Sequence, residues 1–219
     1  MSSAFAFWFS SVGRKAIMAA SGAVFCGYVL AHMAGNMLLY KGPTAINAYA
    51  AGLHSMPALL WMARLALLGA TAVHIWAATS LTITNWRARP RGYGERDYLT
   101  ATYASRTMVW SGPILGLFVV YHVAHLTLGS VYPTDFIAGD VYHNVVHGFQ
   151  RPFVSAIYIT AMLALGLHLY HGAWSMLQSL GLNHSRYNGI RRAAAILFAV
   201  AICGGNISLP VAVLTGFVR

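Results

Sequence analysis

Residues 152–178 read "PFVSAIYITAMLALGLHLYHGAWSMLQ", a run of 27 residues without a charged side chain. A helix needs about 20 mostly apolar residues to cross a membrane. The run therefore predicts a transmembrane helix. It also contains His168 and His171, three residues apart. Ionisable side chains are costly inside a bilayer, so both histidines need a role.

Four further apolar windows lie at residues 16–40, 57–84, 107–129 and 193–217. Hydrophobic residues make up 58% of the 219-residue chain and charged residues 8%, whereas soluble domains carry about 25% charged residues. We therefore predict an all-α integral membrane protein, with five transmembrane helices in a single domain over residues 1–219. The connecting segments contain no P-loop, dinucleotide fingerprint or Ser/His/Asp constellation, so we expect no catalytic residue of a soluble enzyme.

The basic residues are divided unequally between the two ends of these helices. One side carries ten, namely Arg14, Lys15, Arg87, Arg89, Arg91, Arg96, Arg106, Arg186, Arg191 and Arg192, and the other carries Lys41, Arg64, Arg151 and Arg219. The positive-inside rule then predicts a multi-pass protein of the cell inner (cytoplasmic) membrane, with the N-terminus in the cytoplasm and the C-terminus outside. The net charge of +10 fits contact with anionic lipid or a cytoplasmic partner, and we expect no nucleic-acid partner.

Each of the first four predicted helices carries one histidine at a similar depth. His32 follows Arg14 by 18 residues, His74 follows Pro57 by 17, His122 follows Arg106 by 16 and His168 follows Arg151 by 17. Successive helices run in opposite directions, so an equal rise of about 25 Å places the four histidines in two layers about 10 Å apart. The outer layer contains His32 and His122, and the inner layer contains His74 and His168.

Two imidazoles that face each other at one level suit axial ligation of a haem iron between helices. Cys26 and Cys203 stand singly and in no CxxCH motif, which excludes covalent haem attachment. We therefore expect the first four helices to form a bundle that holds two b-type haems. Gly27 and Gly69 each precede a histidine by five residues and leave room for a macrocycle edge, although glycine also serves helix packing in membranes.

Other roles for these histidines fit less well. A histidine in a membrane can simply hydrogen-bond a neighbouring helix, but one histidine per helix at matched depth favours the haem interpretation. A zinc or dinuclear site is disfavoured, because the layers are too far apart to share an ion and no acid lies within a span. The lack of intramembrane acids and of a detectable inverted repeat argues against a transporter.

The spacing of the histidines leaves one question open. His168 and His171, like His122 and His125, stand at positions i and i+3, where side chains point about 60° apart on a helix. Only one member of each such pair can therefore be an axial ligand. The depth count favours His168 by a small margin, and the spacing alone decides neither pair.

Several motifs together resemble the dihaem cytochrome b subunit of succinate dehydrogenases and fumarate reductases. These motifs are "SSVGRKAIMAASG", "AHMAGNMLLYKGPTAINAYA", "YHVAH", "DVYHNVVHGFQRP" and "GLHLYHGAWSMLQSLGLNH", and they extend over all five predicted helices. The resemblance implies a subunit that anchors a flavoprotein and an iron–sulfur protein on the cytoplasmic face. It also implies electron transfer through two haem b groups to or from a membrane quinone, usually menaquinone, with the dicarboxylate site on a partner subunit.

The family's ligand pattern, carried over to this chain, selects His32 and His122 for the outer haem and His74 and His168 for the inner one. His125 and His171 would then lie beside the ligands or the propionates. Haem propionates need donors at each interface, which suggests Arg14, Lys15 and Arg106 for the inner haem and Arg64 and Arg151 for the outer one. Each of these basic residues also fits a role in topology or snorkelling.

One departure from the family concerns the protons of the quinone. Many relatives carry an acid shortly before the proline that opens the second helix, but here residues 50–57 read "AAGLHSMP" and the nearest titratable group is His54. We expect quinone chemistry near the outer haem. The candidates for proton handling are His54, Asp140, Tyr142 and His143, whereas His147 fits a solvated loop surface better.

The segment 85–106 carries five arginines and is expected to contact the iron–sulfur partner. Two alternative functions remain. One is the cytochrome b subunit of a nitrate reductase or formate dehydrogenase, against which the distribution of one histidine on each of four consecutive helices argues. The other is a haem-free anchor, which the amount of haem bound per chain would distinguish. The direction of the reaction, succinate oxidation or fumarate reduction, is left open.

Overall fold

The computed structural model describes residues 7–88 and 103–219, and within these ranges the chain forms helices and no strand. The α-helices, in chain order, are α1 Ser11–Asn36, α2 Pro43–His54, α3 Pro57–Arg87, α4 Tyr103–Leu126, α5 Val141–Phe149, α6 Pro152–Ser179 and α7 Asn188–Leu214, with 3₁₀ turns at Met37–Lys41 and Ser185–Tyr187. Five helices, α1, α3, α4, α6 and α7, are long and apolar enough to cross a membrane. The prediction of a five-span helical membrane protein is confirmed.

The five spans run alternately up and down between two faces of the bundle. The Arg14 face contains the starts of α1, α4 and α7 and the ends of α3 and α6. There the Nη1 of Arg14 donates a hydrogen bond of 3.1 Å to the Oγ1 of Thr84, which joins α1 to α3. The opposite ends form the Arg151 face, together with α2 and α5.

Several span ends differ from the predicted windows, since α1 covers Ser11–Asn36 instead of 16–40, α3 ends at Arg87 instead of 84 and α4 begins at Tyr103 instead of 107. The C-terminal ends of α4 and α7 have an identifiable cause. α4 ends at Leu126 instead of 129, and α7 covers Asn188–Leu214 instead of 193–217. Both ends are set by a glycine with positive φ, Gly129 at +66° and Gly216 at +76°. After each glycine, a backbone N–H donates a hydrogen bond to a carbonyl of the last helical turn. One example is the bond of 2.9 Å from the N–H of Ser130 to the carbonyl of Ala124. This glycine-terminated arrangement stops a helix even where the sequence remains apolar.

The short helices α2 and α5 occupy segments that were predicted to be loops. They pack against each other on the Arg151 face. Asn47 of α2 donates from Nδ2 to the Oδ1 of Asp140 at 2.9 Å and accepts from the backbone N–H of Tyr142 at 3.0 Å. Asp140 in turn caps α5 by accepting from the N–H of His143 at 2.9 Å. The Arg151 face is therefore covered by ordered structure.

The spans pack as a bent row in the order α3, α1, α6 and α4, with α7 against α6 and α1. The side chains of Leu169, Ala199 and Ile202 fill the contact between α6 and α7. No residue of the most apolar window of α3 is buried, so α3 exposes a wide arc to lipid. Within the described residues, α1 has no extensive backbone contact with α4, and neither does α3 with α6. These are the two pairs of helices across which the histidines meet.

Candidate functional site

His32 and His122 face each other near the Arg151 face. Their ring centres lie 5.7 Å apart with the ring planes at 89°. Tyr28 stacks on the His32 ring at 5.4 Å, and Phe118 lies 5.8 Å from the His122 ring. The two imidazoles thus reach toward each other from α1 and α4 between aromatic neighbours. We call them the outer pair.

His74 and His168 form a second facing pair, the inner pair, at a level closer to the Arg14 face. Their ring centres lie 6.4 Å apart with the planes at 50°. Phe25 meets the His74 ring edge-on at 5.4 Å. Each pair contains one residue from the first two spans and one from the next two.

The distance between the two pairs along the membrane normal can be estimated from α1, which contacts both pairs. Ser21 contacts the inner pair and His32 belongs to the outer pair, so the layers are eleven residues apart on α1. At 1.5 Å per residue this is about 16 Å. The depth count predicted a separation on the order of 10 Å.

A serine hydroxyl holds the Nδ1 atom of each inner histidine. The Oγ of Ser21 lies 2.9 Å from the Nδ1 of His74, and the Oγ of Ser111 lies 3.2 Å from the Nδ1 of His168. The Ser21 hydroxyl donates its own proton to the carbonyl of Ile17 at 2.8 Å, so it accepts a hydrogen bond from the Nδ1–H of His74. Protonation at Nδ1 leaves the lone pair on Nε2, which is the form of imidazole that binds a metal.

In the outer pair, the hydroxyl of Tyr158 is shared by two histidines. It lies 3.3 Å from the Nδ1 of His122 and 3.0 Å from the Nδ1 of His125. Tyr158 is buried and has a single proton, so it donates to one of these nitrogens and accepts from the N–H of the other. The two histidines therefore hold opposite tautomers. The shorter contact to His125 favours donation to His125, which leaves His122 protonated at Nδ1 with the Nε2 lone pair available to a metal.

The positions of His125 and His171 fit this assignment. His125 is 5% exposed and packs against α5. A methyl group added at Gly148 would lie 2.8 Å from both its Cε1 and its Nε2. Its ring is thus in close contact with α5. His171 is half-buried and makes no hydrogen bond within the described part of the chain. Of the histidines in "HVAH" and "HLYH", His122 and His168 are the members whose rings face a partner histidine across the bundle.

The basic residues predicted to serve propionates have different surroundings. Arg14 and Arg64 are half-buried, the latter with its guanidinium 5.1 Å from the Trp61 ring, whereas Lys15 and Arg106 are exposed. Arg151 forms an ion pair with Asp135 and lies 3.9 Å over the ring of Tyr132. The hydrogen bond from Arg151 lowers the pKa of the Asp135 carboxyl. A propionate at Arg151 would therefore have to compete with a carboxylate that is already bound.

The residues predicted to handle quinone protons do not form one cluster. His54 is the last residue of α2, is exposed, and donates from Nδ1 to the carbonyl of Ala50 at 2.8 Å. The Tyr142 hydroxyl donates to the terminal backbone oxygen of Arg219 at 2.8 Å, and the Nε2 of His143 lies 3.2 Å from the Asp135 carbonyl. Hydrogen bonds from the His143 backbone and from Asn47 lower the pKa of Asp140. Asp140 thus serves as an ionised helix cap.

Most of the predicted docking segment, residues 85–106, lies outside the described residues. This applies to Arg89, Arg91, Glu95, Arg96 and Asp97. Of the described ends of the segment, Trp86 and Tyr103 are each 65% exposed. The expectation that this segment contacts an iron–sulfur partner stays a prediction.

Sequence reasoning made no prediction for Ser21, Ser111 and Tyr158, although they form hydrogen bonds with the paired histidines. A periodic signal was present for the serines. Ser21 precedes His32 by eleven residues, and Ser111 precedes His122 by the same number. Eleven residues are about three helical turns, so each serine shares a helix side with a histidine. Tyr158 likewise precedes His168 by ten residues on α6.

Comparison of the chain with protein-family models, with curated proteins and with solved structures finds no match. Its class therefore follows from its own geometry. Residues 7–88 and 103–219 contain no group of three or more His, Cys, Asp or Glu side chains placed to hold one metal ion. The chain is a multi-pass helical membrane protein with two pairs of facing histidines inside its bundle.

Proposed function

We propose that the two histidine pairs bind two haem b groups, each through the Nε2 atoms of both members. The observation that carries this proposal is the spacing of the rings. A metal–imidazole bond is about 2 Å long, so two imidazoles on opposite sides of one ion have ring centres about 6 Å apart. The pairs measure 5.7 Å and 6.4 Å. Two ligands per ion also fit haem, whose porphyrin supplies the remaining four, better than zinc.

The immediate surroundings of the pairs support the same proposal. Ligand histidines are commonly oriented by a hydrogen bond at the other ring nitrogen, which Ser21, Ser111 and Tyr158 provide here. Methyl groups added at Gly27 or Gly69 would meet nothing within 4 Å, so space is open beside α1 and α3. Residues for the propionates are Arg14, Lys15 and Arg106 on one face and Arg64 on the other, with Arg151 only if Asp135 releases it.

We further propose that the chain is the membrane-anchor cytochrome b subunit of a succinate:quinone oxidoreductase, a succinate dehydrogenase or fumarate reductase. Its support is the sequence resemblance together with one histidine on each of four consecutive spans. Haem supplies reversible one-electron transfer. The protein would place one haem toward an iron–sulfur subunit at the Arg14 face, facing the cytoplasm, and the other toward the Arg151 face. The flavoprotein subunit would carry the dicarboxylate chemistry.

The quinone, which we propose to be menaquinone, would react near the outer pair on the Arg151 face. Among the candidates, His54 is best suited to exchange protons, because it is exposed and its Nε2 takes no part in the bond to Ala50. Asp140 is less suited, since its hydrogen bonds keep it ionised. Tyr142 and His143 are engaged in contacts that hold α5 and the C-terminus.

The decisive experiment is to measure haem b per chain in the protein purified from membranes, together with the identity of the copurifying subunits. We expect two haems, a flavoprotein and an iron–sulfur protein. His74→Ala and His168→Ala should each remove the same haem signal, and His32→Ala and His122→Ala should each remove the other. His171→Ala and His125→Ala are the matched controls and should retain two haems. A chain without haem would identify a simple anchor, and molybdenum-containing partners would favour the nitrate reductase or formate dehydrogenase class.

A further inference from the structure

The first turn of α7, on the Arg14 face, carries positive charge and has no acidic partner among the described residues. α7 begins at Asn188 with no side-chain hydrogen bond from its cap residue and no acid in its first turn. The first N–H groups of a helix lack partners within the helix and carry a partial positive charge. Arg186, Arg191 and Arg192 add three full charges at the same place. This arrangement attracts an anion.

A buried arginine gives independent evidence for an anion at this turn. Arg191 is 9% exposed. Its Nη1 donates to the Oδ1 of Asn188 at 3.1 Å and to Asn183, so the side chain points back toward the start of α7. Its Nε and Nη2 atoms are buried and have no hydrogen-bond partner among the described residues. Buried donors are normally paired, and an unpaired buried cation is strongly unfavourable.

The residues that the structure describes around Arg191 do not provide the missing acceptor. The guanidinium carbon lies 4.8 Å from the Trp174 ring, whose face attracts the charge but offers no oxygen to the N–H groups. The two described acids, Asp135 and Asp140, are on the Arg151 face, while Glu95 and Asp97 fall outside the described residues. An anion with several oxygens would pair with the guanidinium and with the free N–H groups of the first turn together.

We propose that the first turn of α7, with Arg191, binds the phosphate group of an anionic phospholipid. The turn opens a membrane span, at the depth where lipid headgroups lie. The exposed apolar side chains of Ile190, Leu197 and Val200 lie about 100° or more around the same helix from Arg191, so the acyl chains would run along this neighbouring side of α7. The proposal rests on Arg191 and the start of α7, and not on the proposed haem function.

Arg191 and Arg192 form a matched pair for testing this site. Both are single positive charges in adjacent positions, but Arg192 is exposed and its Nε donates to the Tyr170 hydroxyl at 3.2 Å. The full chain, purified with its copurifying subunits, is titrated with phosphatidylglycerol and phosphatidylcholine and analysed by native mass spectrometry. We expect one tightly bound phosphatidylglycerol per chain. Arg191→Gln should weaken it about tenfold or more, and Arg192→Gln by no more than about threefold.

A second variant separates charge from hydrogen bonding and covers the case in which Arg191→Gln does not fold. Arg191→Lys keeps the charge but loses the Nε and Nη2 donors, so it should also weaken lipid binding. Equal losses in the Arg191 and Arg192 variants would show general electrostatic attraction and overturn the proposal. So would equal binding of the two lipids. Displacement of the lipid by millimolar inorganic phosphate would show a free-anion site and overturn the assignment to a lipid.

Discussion

The Oγ of Ser21 on α1 lies 2.9 Å from the Nδ1 of His74 on α3, and the Ser21 hydroxyl proton is donated to a backbone carbonyl one turn earlier. The serine can therefore only accept from the imidazole. Ser111 on α4 stands in the same relation to His168 on α6 at 3.2 Å. Both inner histidines thus have their Nδ1 atom held by a neighbouring helix, which leaves Nε2 as the ring nitrogen available to a metal.

Ser21→Ala should weaken the inner haem without removing the outer one. The change leaves the Nδ1–H of His74 without its acceptor, and losses of such orienting partners typically cost about 10- to 100-fold in metal affinity. The measurement is retention of each haem during dilution, followed by optical spectra and redox titration. Ser80→Ala is the control, because Ser80 bonds only to a carbonyl of its own helix, α3. Equal haem retention in both variants would contradict the role of Ser21.

Tyr158→Phe should abolish the tautomer difference between His122 and His125. In the unmodified chain, ¹⁵N NMR of labelled histidines is expected to show protonation at Nδ1 of His122 and at Nε2 of His125, with or without haem. Removal of the hydroxyl should leave His125 in a mixture of both tautomers and lower haem affinity at the outer pair. Tyr121→Phe serves as the control, since Tyr121 stacks on His125 at 5.6 Å without a hydrogen bond to it. A wild-type His122 protonated at Nε2 would contradict the assignment.

Lowering the pH should destabilise the short helices on the Arg151 face before it affects the Arg14 face. The pKa of Asp135 is lowered by its hydrogen bond from Arg151, and that of Asp140 by hydrogen bonds from His143 and Asn47. A lowered pKa in the folded state means that the stabilisation is complete above the carboxyl's unfolded pKa of about 4 and is lost as the pH falls through the folded pKa. Hydrogen exchange at pH 3 to 7 should therefore show α5 opening on acidification.

Two substitutions separate the cap of α5 from its charge. Asp140→Ala should destabilise α5 by about 1 kcal/mol at pH 7, because it removes the cap acceptor. Asp140→Asn keeps an oxygen that can accept from His143, so it should retain most of the stability and reduce the acid sensitivity. If Asp140→Asn titrated like the unmodified chain, Asp140 would not be the source of that sensitivity.

His54→Ala should lower quinone-linked turnover by about 100-fold, the lower end of the range for loss of a general acid or base. Both haems and the succinate-dependent reduction of an artificial acceptor should remain. His147→Ala is a suitable control, since His147 is a histidine of the same face that stacks on His143 at 5.3 Å. An unchanged quinone rate in His54→Ala would remove His54 from proton handling, whereas the haem counts would test the ligand pairs separately.

Sequence reasoning succeeded where a long pattern decided the structure. Five apolar windows predicted the five spans, and residue counts placed His32 with His122 and His74 with His168, as the ring contacts do. It failed where the structure depends on short helices and on single contacts between distant residues. α2 and α5 are too short for their periodicity to stand out, and their stability comes from contacts such as Asn47 with Asp140. Similarly, which of His122 and His125 is suited to bind a metal depends on the hydroxyl of Tyr158, which is 33 residues from His125 in the sequence.

Each histidine pair joins the first half of the chain to the second. His32 and His74 enter the membrane with α1 and α3, and their partners His122 and His168 arrive only with α4 and α6. During biosynthesis, the first hairpin therefore holds two incomplete sites until the second hairpin has been inserted beside it. A cofactor that requires both members of a pair would hold the two hairpins together, and it would bind only after they have assembled correctly. Two fragments, divided within residues 89–102 and produced together, should associate more stably when haem is supplied than when its synthesis is blocked.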